Sequence, residues 1–366
     1  MQVDGLDSRF WRNKRVLLTG HTGFKGSWAA LWLSHLGADV TGLSLAPESE
    51  PNLYTLASVE QDLRSHLIDL RDRKAVNQCV RDADPEIVLH MAAQPLVRRS
   101  YVEPVENFST NVMGTVHLLD ALRTCENLDT VLVVTTDKVY ENAESGIAFT
   151  EDDPLGGHDP YAASKAAAEI VVSSYARSFL AERGVKIATA RGGNVIGGGD
   201  FSEDRIIPDV WRAACAGKPL VLRNPNAARP WQHVLDCLSG YFAYTRALSE
   251  GNVSATSLNF GPASDAEQLR VADLAESVQA ALGVGEAWEL VNSAGPHEMS
   301  ALSIDSSRAR ALLGWRDRVA GPRCVEWLAD WYRALNHNEN MRDFTLSQIA
   351  AYETFGVQAS ARASDR

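Results

Sequence analysis

Arg15-Val16-Leu17-Leu18-Thr19-Gly20-His21-Thr22-Gly23-Phe24-Lys25-Gly26-Ser27-Trp28 is the stretch on which the fold turns. It opens as a short apolar run ending in glycine, and from Phe24 to Leu36 the apolar residues Trp28, Leu31, Trp32 and Leu36 recur at helical spacing. The pattern predicts a strand, a tight turn and a helix. Gly20, Gly23 and Gly26 stand three apart in that turn, so the backbone can approach a pyrophosphate seated on the helix N-terminus. Three turn glycines can also be purely structural, but the flanking strand and helix are what a dinucleotide site requires. Lys25, inside the turn, either reaches a phosphate or ribose or is a solvated charge at the helix start.

Working outward, Ala38 to Leu45 reads as a second strand, where such folds often place an acidic residue for the adenosine ribose. Here Asp39 stands at the strand's start and Ser44 near its end, so this strand does not decide between NAD and NADP. Leu63 to Leu70 reads as a third strand, with Asp69 placed to accept from an adenine amine or to serve in an N-cap for the helix starting near Asp72. Glu86 to Ala93 is a fourth, whose Ala92 and Ala93 leave room for a cofactor; His90 within it reads as a packed or hydrogen-bonded histidine. A long helix over Pro104 to Leu122 carries Asn111. Thr130 to Thr136 is a fifth strand, apolar on both faces as a central parallel strand should be.

The chemistry gathers beyond that strand. Ligands of open parallel sheets bind past the carboxyl ends of the strands, which is where Thr135-Thr136-Asp137-Lys138 falls, although a surface Asp-Lys turn would look the same. Asp159 can cap and Pro160 can begin a helix that stacks Tyr161 and Lys165 one turn apart. A lysine there could draw the phenol's pKa of about 10 towards the range of a general base. Lys186 to Ile196 gives a sixth strand that dissolves into the glycine-rich run Gly192 to Asp200, read as a mobile or ligand-hugging loop. Arg229-Pro230-Trp231-Gln232-His233-Val234 then offers a guanidinium for a diphosphate and an indole for a base or sugar, just before a helix from about Val234 to Leu248.

These elements predict an α/β protein with a Rossmann-type doubly wound parallel sheet and a smaller C-terminal α/β substrate domain. Residues 1–190 form mainly the first and 191–340 mainly the second, with some chain crossing between them. The run His337-Asn338-Glu339-Asn340 is expected to end the last long helix, leaving 341–366 as a fraying tail. At 366 residues and 45% apolar content the chain can bury a large core. Its longest apolar runs fall far short of the roughly 20 residues of a membrane span, and Met1 to Arg15 is too polar for a signal peptide, which places it in the cytoplasm. Five scattered cysteines suggest neither a disulfide framework nor a metal site. A net charge of −12 argues against a nucleic-acid partner.

Gly20-x-x-Gly23-x-x-Gly26 and Tyr161-x-x-x-Lys165 resemble the extended short-chain dehydrogenase/reductase superfamily over nearly the whole chain. Gly20 to Trp28, Thr135 to Tyr140, Asp204-Arg205-Ile206-Ile207-Pro208-Asp209 and Arg229 to Val234 look, more narrowly, like the CDP-glucose 4,6-dehydratases. That resemblance implies an NAD-dependent hydro-lyase making CDP-4-keto-6-deoxyglucose from CDP-glucose, in deoxysugar biosynthesis such as that of lipopolysaccharide O-antigen. It implies Tyr161 as base at the C4 hydroxyl, Thr136 bonded to the C4 oxygen, Asp137 as the acid that expels the C6 hydroxyl and Lys138 as the C5 base. The related dTDP-glucose enzymes carry Asp-Glu where this chain has Asp137-Lys138, and a lysine can act as base only if burial or Lys165 depresses its pKa. The cofactor positions implied are Gly20, His21, Thr22, Gly23, Phe24, Lys25, Asp69, Leu70, Ala92, Gln94, Asn111, Thr135, Tyr161 and Lys165, with Asn111 supporting a proton relay behind the lysine. The substrate positions implied are Asn194, Arg205, Arg229, Gln232 and His233. A homodimer, or a tetramer built from it, would pack Pro104 to Leu122 and Tyr161 to Arg183 of each subunit together through alanines 162, 163, 166, 167 and 168. A nucleotide-sugar 4-epimerase shares the tyrosine, lysine and glycine turn but needs no acid to expel water, and a non-catalytic dinucleotide-sensing protein would keep the fold alone.

Overall fold

The computed structural model describes residues 6–142, 146–263, 269–285, 287–290 and 302–364, with side chains to 355. A single helical turn, α1 (Ser8–Trp11), leads into β1 (Arg15–Thr19), and α2 (Phe24–His35) follows the glycine turn. β1 pairs in parallel with β2 (Asp39–Ser44), and β2 with β3 (Arg64–Leu67). The short α3 (Leu53–Leu56) lies between those two. On its other side β1 meets β4 (Ile87–His90), and the sheet runs on through β5 (Thr130–Thr136) and β6 (Lys186–Gly192) to β10 (Ser257–Phe260), parallel throughout. The order β10-β6-β5-β4-β1-β2-β3 reverses between β1 and β4. A crevice for a dinucleotide opens at that reversal.

Both faces of the sheet are covered, which is why β4 and β5 are buried at every position rather than at alternate ones. α4 (Arg73–Ala83), α7 (Gly114–Leu122) and α8 (Pro160–Tyr175) enclose a core of Leu17, Val76, Val88, Leu118 and Val131 on one face. α2, α10 (Val234–Ser249), α13 (Pro322–Asn336) and α14 (Met341–Ser364) bury Trp28, Trp32, Phe242, Trp331 and Tyr352 on the other. The remaining helices α5 (Val97–Val102), α6 (Pro104–Phe108), α9 (Ile206–Ala216), α11 (Val271–Leu282) and α12 (Ser307–Leu313) frame the open end of the sheet.

Three expectations change on folding. The segment Lys186–Ile196 is two strands, because the chain turns at Gly193 and β7 (Asn194–Ile196) leaves the main sheet to pair with β9 (Trp231–His233). β8 (Leu220–Leu222) pairs with β11 (Trp288–Leu290) in a further small sheet. The glycine run 197–199 is buried and fixed rather than mobile. A Cβ on Gly197 would meet Val234 at 2.7 Å and one on Gly198 would meet Trp331 at 1.9 Å, while the Trp28 indole donates to the Gly198 carbonyl at 2.9 Å. The chain after Asn340 does not fray at once: α14 presents Met341, Thr345, Ile349 and Tyr352 on one buried face, and Arg342 forks onto Asp62 at 2.7 Å. Residues 365 and 366 lie outside the described part.

Gly198→Ala should therefore cost about 3 kcal/mol of unfolding free energy, since Trp331 and the backbone must shift to admit the methyl group. Gly251→Ala, at φ +71 with open space around it, should lose only about 1 kcal/mol for the left-handed backbone. Urea unfolding of the two variants checks the difference.

Candidate active site

Past the carboxyl ends of β1, β4, β5 and β6 lies a cleft of about 320 Å³, within the range of small-molecule sites. Thr136, Asp137, Lys138, Tyr161 and Lys165 all line it, together with Lys25, Asn194, Arg205, Arg229 and Trp231. β5 delivers Thr136 and the turn Asp137–Val139 directly. The Asp159 carboxylate caps α8 by accepting from the Ala162 N–H at 2.8 Å, and Pro160 starts the helix, so Tyr161 sits in its first turn.

The polar order around the tyrosine is specific. Thr136 Oγ1 donates to Asp137 Oδ1 at 2.9 Å, while Lys165 Nζ donates to the Val134 carbonyl at 3.0 Å. Burial pushes the phenol up to about 12, with the Thr136 hydrogen bond the strongest opposing influence. Burial draws the Lys165 ammonium down to about 7, helped by the nearby charge of Lys25. The lowered phenol that helical stacking suggests is therefore not what this arrangement produces: desolvation outweighs an amine that is itself close to neutral. Asp137 is 1% exposed, and its Oδ2 has no hydrogen-bond partner among the described residues. A buried carboxylate oxygen left open beside a tyrosine and a threonine is placed to meet a ligand group.

The glycine turn fits a dinucleotide. A Cβ on Gly26 would fall 1.9 Å from the Gly20 carbonyl oxygen, and one on Gly20, at φ +81, would fall 2.8 Å from the Ala92 nitrogen. Gly23, by contrast, is exposed at the N-terminus of α2, where no side chain caps the first N–H groups. Those N–H groups can cradle a phosphate.

Several cofactor positions turn their side chains elsewhere. His21 is buried against Gly42 and bonded through Nε2 to Ser65 Oγ at 2.8 Å. Thr22 donates to the Leu45 carbonyl and pairs with Ser44, so the second strand's hydroxyl is taken. Phe24 abuts the strap glycine Gly197. Asp69 is gripped by Arg71 through both carboxylate oxygens, Leu70 packs on Gly114, and the Ala92 N–H donates to Thr19. Thr135 donates to Glu169 at 2.6 Å. Asn111 lies in a π-helical turn, Ser109–Met113, that interrupts the helix expected from Pro104 to Leu122. Its amide spans the Gln94 backbone and Ser164 Oγ, bracing α8 between Tyr161 and Lys165. His90, a packed histidine as expected, bridges Thr19 and Thr115.

Of the substrate positions, Asn194, Arg205 and Arg229 line the cleft, but Gln232 and His233 do not. Gln232 donates to Asp317 at 3.0 Å, and His233 Nδ1 accepts the Leu235 N–H as the cap of α10 while its ring packs on Trp327. Strand alternation in β9 sends Trp231 to the cleft and Gln232 behind it. Sequence reasoning missed Arg98, Asp200, Asp204 and Arg223, all of which line the cleft. The doubled arginine Arg98-Arg99 after Ala92-Ala93 was the available signal. All five cysteines are free, and among the described residues no cluster of His, Cys, Asp and Glu could hold a metal. No helix among them is long and apolar enough to cross a membrane.

A Gly-x-x-Gly-x-x-Gly cradle at the sheet's reversal, with Thr136, Tyr161 and Lys165 beyond β5 and α8, defines an extended short-chain dehydrogenase/reductase. The chain belongs to the 4,6-dehydratase family of hydro-lyases: residues 17–326 match the GDP-mannose 4,6 dehydratase family. It is 40% identical over 353 residues to a CDP-glucose 4,6-dehydratase of Salmonella typhimurium, covering 95% of this chain and 98% of that one. A dTDP-glucose 4,6-dehydratase of Xanthomonas campestris is 30% identical, over 86% of this chain and 92% of its own. Among solved structures, a UDP-glucose 4-epimerase of Thermus thermophilus in complex with NAD superposes with a TM-score of 0.75 at 27% identity, covering 87% of this chain and 98% of that one.

The Lys165 amine gives a pH test. Unfolded, it binds its proton below about 10.5; folded, only below about 7. Between these values the unfolded chain holds the extra proton, so this site's contribution to stability rises with pH and its penalty is full below about 7. Lys165→Met should be more stable than the parent at neutral pH, with the gain shrinking as pH rises towards 10.5, in denaturant titrations across that window.

Proposed function

We propose that the protein converts CDP-glucose into CDP-4-keto-6-deoxyglucose and water, with NAD as its bound cofactor. The observation that carries this reading is the open, buried Oδ2 of Asp137 beside Thr136 and Tyr161. An acid at that point serves elimination; an epimerase has no hydroxyl to expel. The 40% identity to a CDP-glucose enzyme supports cytidine as the base, above the 30% to a dTDP-glucose enzyme.

When bound on Gly20, Gly23 and the first turn of α2, NAD supplies a hydride acceptor for C4 and later a hydride donor for C6. The chain's own residues handle protons and position. Thr136 and Tyr161 hold the C4 oxygen, and Tyr161 takes the C4 hydroxyl proton as it passes its own phenol proton on towards the Lys165 amine. Lys165, drawn down to about 7, is the group in this cleft matched to proton exchange at neutral pH, and it can restore the phenol's proton balance. With C4 a ketone, the C5 proton is acidic; Lys138, half-buried on the cleft wall, takes it and returns a proton to C5 when C6 is reduced, while Asp137 protonates the departing C6 hydroxyl through Oδ2 and the proton released from the C4 hydroxyl makes good the one it gives. Arg229 and Asn194 hold the diphosphate, and the apolar wall of Pro208, Leu222 and Val271 receives the base.

The division into a cofactor-binding part, 1–190, and a substrate part, 191–340, accords with the glycine cradle lying in the first and Asn194, Arg205 and Arg229 in the second. The enzyme acts in the cytoplasm, in 6-deoxysugar supply for surface polysaccharides such as O-antigen, and as a homodimer. For the dimer, α6, the π turn and α8 leave an apolar groove lined by Val105, Phe108, Val112, Met113 and Ala167, with Val105 78% and Ile170 63% exposed. Of the alanines expected there, Ala162, Ala166 and Ala168 are buried internally, so Ala163 and Ala167 offer the close approach.

Incubating protein and NAD with CDP-glucose in deuterated water should yield a product that has lost one water and gained one deuterium. Asp137→Asn should slow that conversion by about 10²–10⁴-fold without abolishing NAD binding. A C4-inverted sugar of unchanged mass would establish an epimerase instead. Val105→Glu should leave a monomer in sedimentation velocity, by burying a charge against its own symmetry mate.

A further inference from the structure

At the mouth of the same cleft, three charged residues meet that the mechanism does not use. Arg98 lies on α5 beside the sheet, while Asp204 precedes α9 and Arg223 follows β8 on the facing side. Arg223 Nη1 donates to Asp204 Oδ1 at 2.7 Å, and Arg98 Nε lies 3.7 Å from Asp204 Oδ2. All three line the cleft, with side chains 30–37% exposed. Asp204 takes φ +55, a left-handed conformation that costs a non-glycine residue free energy, and this backbone places its carboxylate between the two guanidiniums. The next residue, Arg205, is tied differently, to Asp200 at 3.3 Å.

A guanidinium fork binds carboxylate and phosphate oxygens alike. On a chain of net charge −12, a doubly negative diphosphate approaches against the overall field, so cations at the entrance matter. We infer that Arg98 and Arg223 are a diphosphate-binding pair and that Asp204 is their resident counter-anion, exchanged for the diphosphate of the nucleotide sugar when it binds. The inference rests on the nucleotide-sugar reading above and adds the residues that admit the ligand. The exchange swaps one anion for another between the same two cations, so the arginines are never left unpaired at the cleft mouth. It also replaces a protein tie across the cleft by a ligand tie, and the returning carboxylate competes with the product's diphosphate and so favours release.

Calorimetric titration of the full chain, loaded with NAD, with CDP, UDP, dTDP and the uncharged cytidine tests this. Asp204→Asn should tighten the diphosphate that binds by about fivefold, and leave cytidine unchanged. Arg98→Ala and Arg223→Ala should each weaken the diphosphate by about tenfold, and combined with either of them Asp204→Asn should no longer help. A purely structural latch predicts the reverse sign, because loosening it would weaken every ligand. Unchanged or weaker diphosphate binding by Asp204→Asn, or an equal gain for cytidine, overturns the inference while leaving the nucleotide-sugar reading intact. If no nucleoside diphosphate binds the parent protein, that reading falls and this one with it. Should Asp204→Asn not fold, Asp204→Ser gives the same readout.

Discussion

The buried ion pair between Arg191 and Glu169 holds the catalytic end of the molecule together. Each side chain is 5% exposed, and they meet through two hydrogen bonds of 3.0 Å. Glu169 also accepts from Thr135 on β5 and Thr189 on β6, and Arg191 reaches the Tyr140 hydroxyl, which donates in turn to Asn259 on β10. Three strands and α8 thus converge on one carboxylate-guanidinium pair. An isolated charge at this depth would cost several kcal/mol, and removing either partner leaves the other in that position. The neighbours satisfy what the pair alone leaves open, so the network is closed rather than merely compact. Its location explains why that much buried polarity is kept: Glu169 is one helical turn beyond Lys165 and two beyond Tyr161, while Thr135 adjoins Thr136 and Asp137. The same atoms that fix the core fix the spacing of the reacting groups.

Much of this was readable from the chain, and the parts that were not share a cause. β5 was legible because a central parallel strand must be apolar on both faces, and Asp159-Pro160 announced the start of α8 through local capping chemistry. The glycine cradle was legible for the same reason: its geometry depends on residues within one turn. Where partners lie far along the chain, spacing is silent. Gly197-Gly198-Gly199 reads as mobile or ligand-hugging until Trp331, well over a hundred residues later, fills the space beside Gly198, with Val234 against Gly197 and Leu53 against Gly199. Arg342 and Tyr352 lie in a terminus rich in serine and alanine, and only Asp62 and Asp236, to which they bond, show that the helix docks.

The candidate site divides along the same line. Residue types that carry chemistry were found by motif: Thr136, Asp137, Lys138, Tyr161 and Lys165 do meet in one cleft. Direction was not. Gln232 and His233 sit in a motif with Arg229 and Trp231, yet strand alternation turns Gln232 to Asp317, and His233 ends β9 as the cap of α10. His21 is a cofactor position implied by resemblance, and its ring occupies the place a side chain on Gly42 of the next strand would take, so its imidazole packs on that strand. A motif states which residues are near a site; tertiary packing decides which of their atoms reach it.

Burial sets the protonation order of that cleft more than charge pairing does. Tyr161 and Lys165 are both deeply enclosed, and desolvation disfavours the charged form of each, so the phenol moves up and the ammonium moves down. The two groups move apart, one held protonated and one poised near neutrality. A tyrosine that must give up a proton and later regain it benefits from such a neighbour, because an amine poised near neutral pH can exchange protons within the cleft rather than leaving bulk water as the only partner. The enclosure that produces this arrangement comes from β5, α8 and the bolted glycine strap, all of which exist to pack. Catalytic tuning here is therefore a consequence of how the core closes over the end of the sheet.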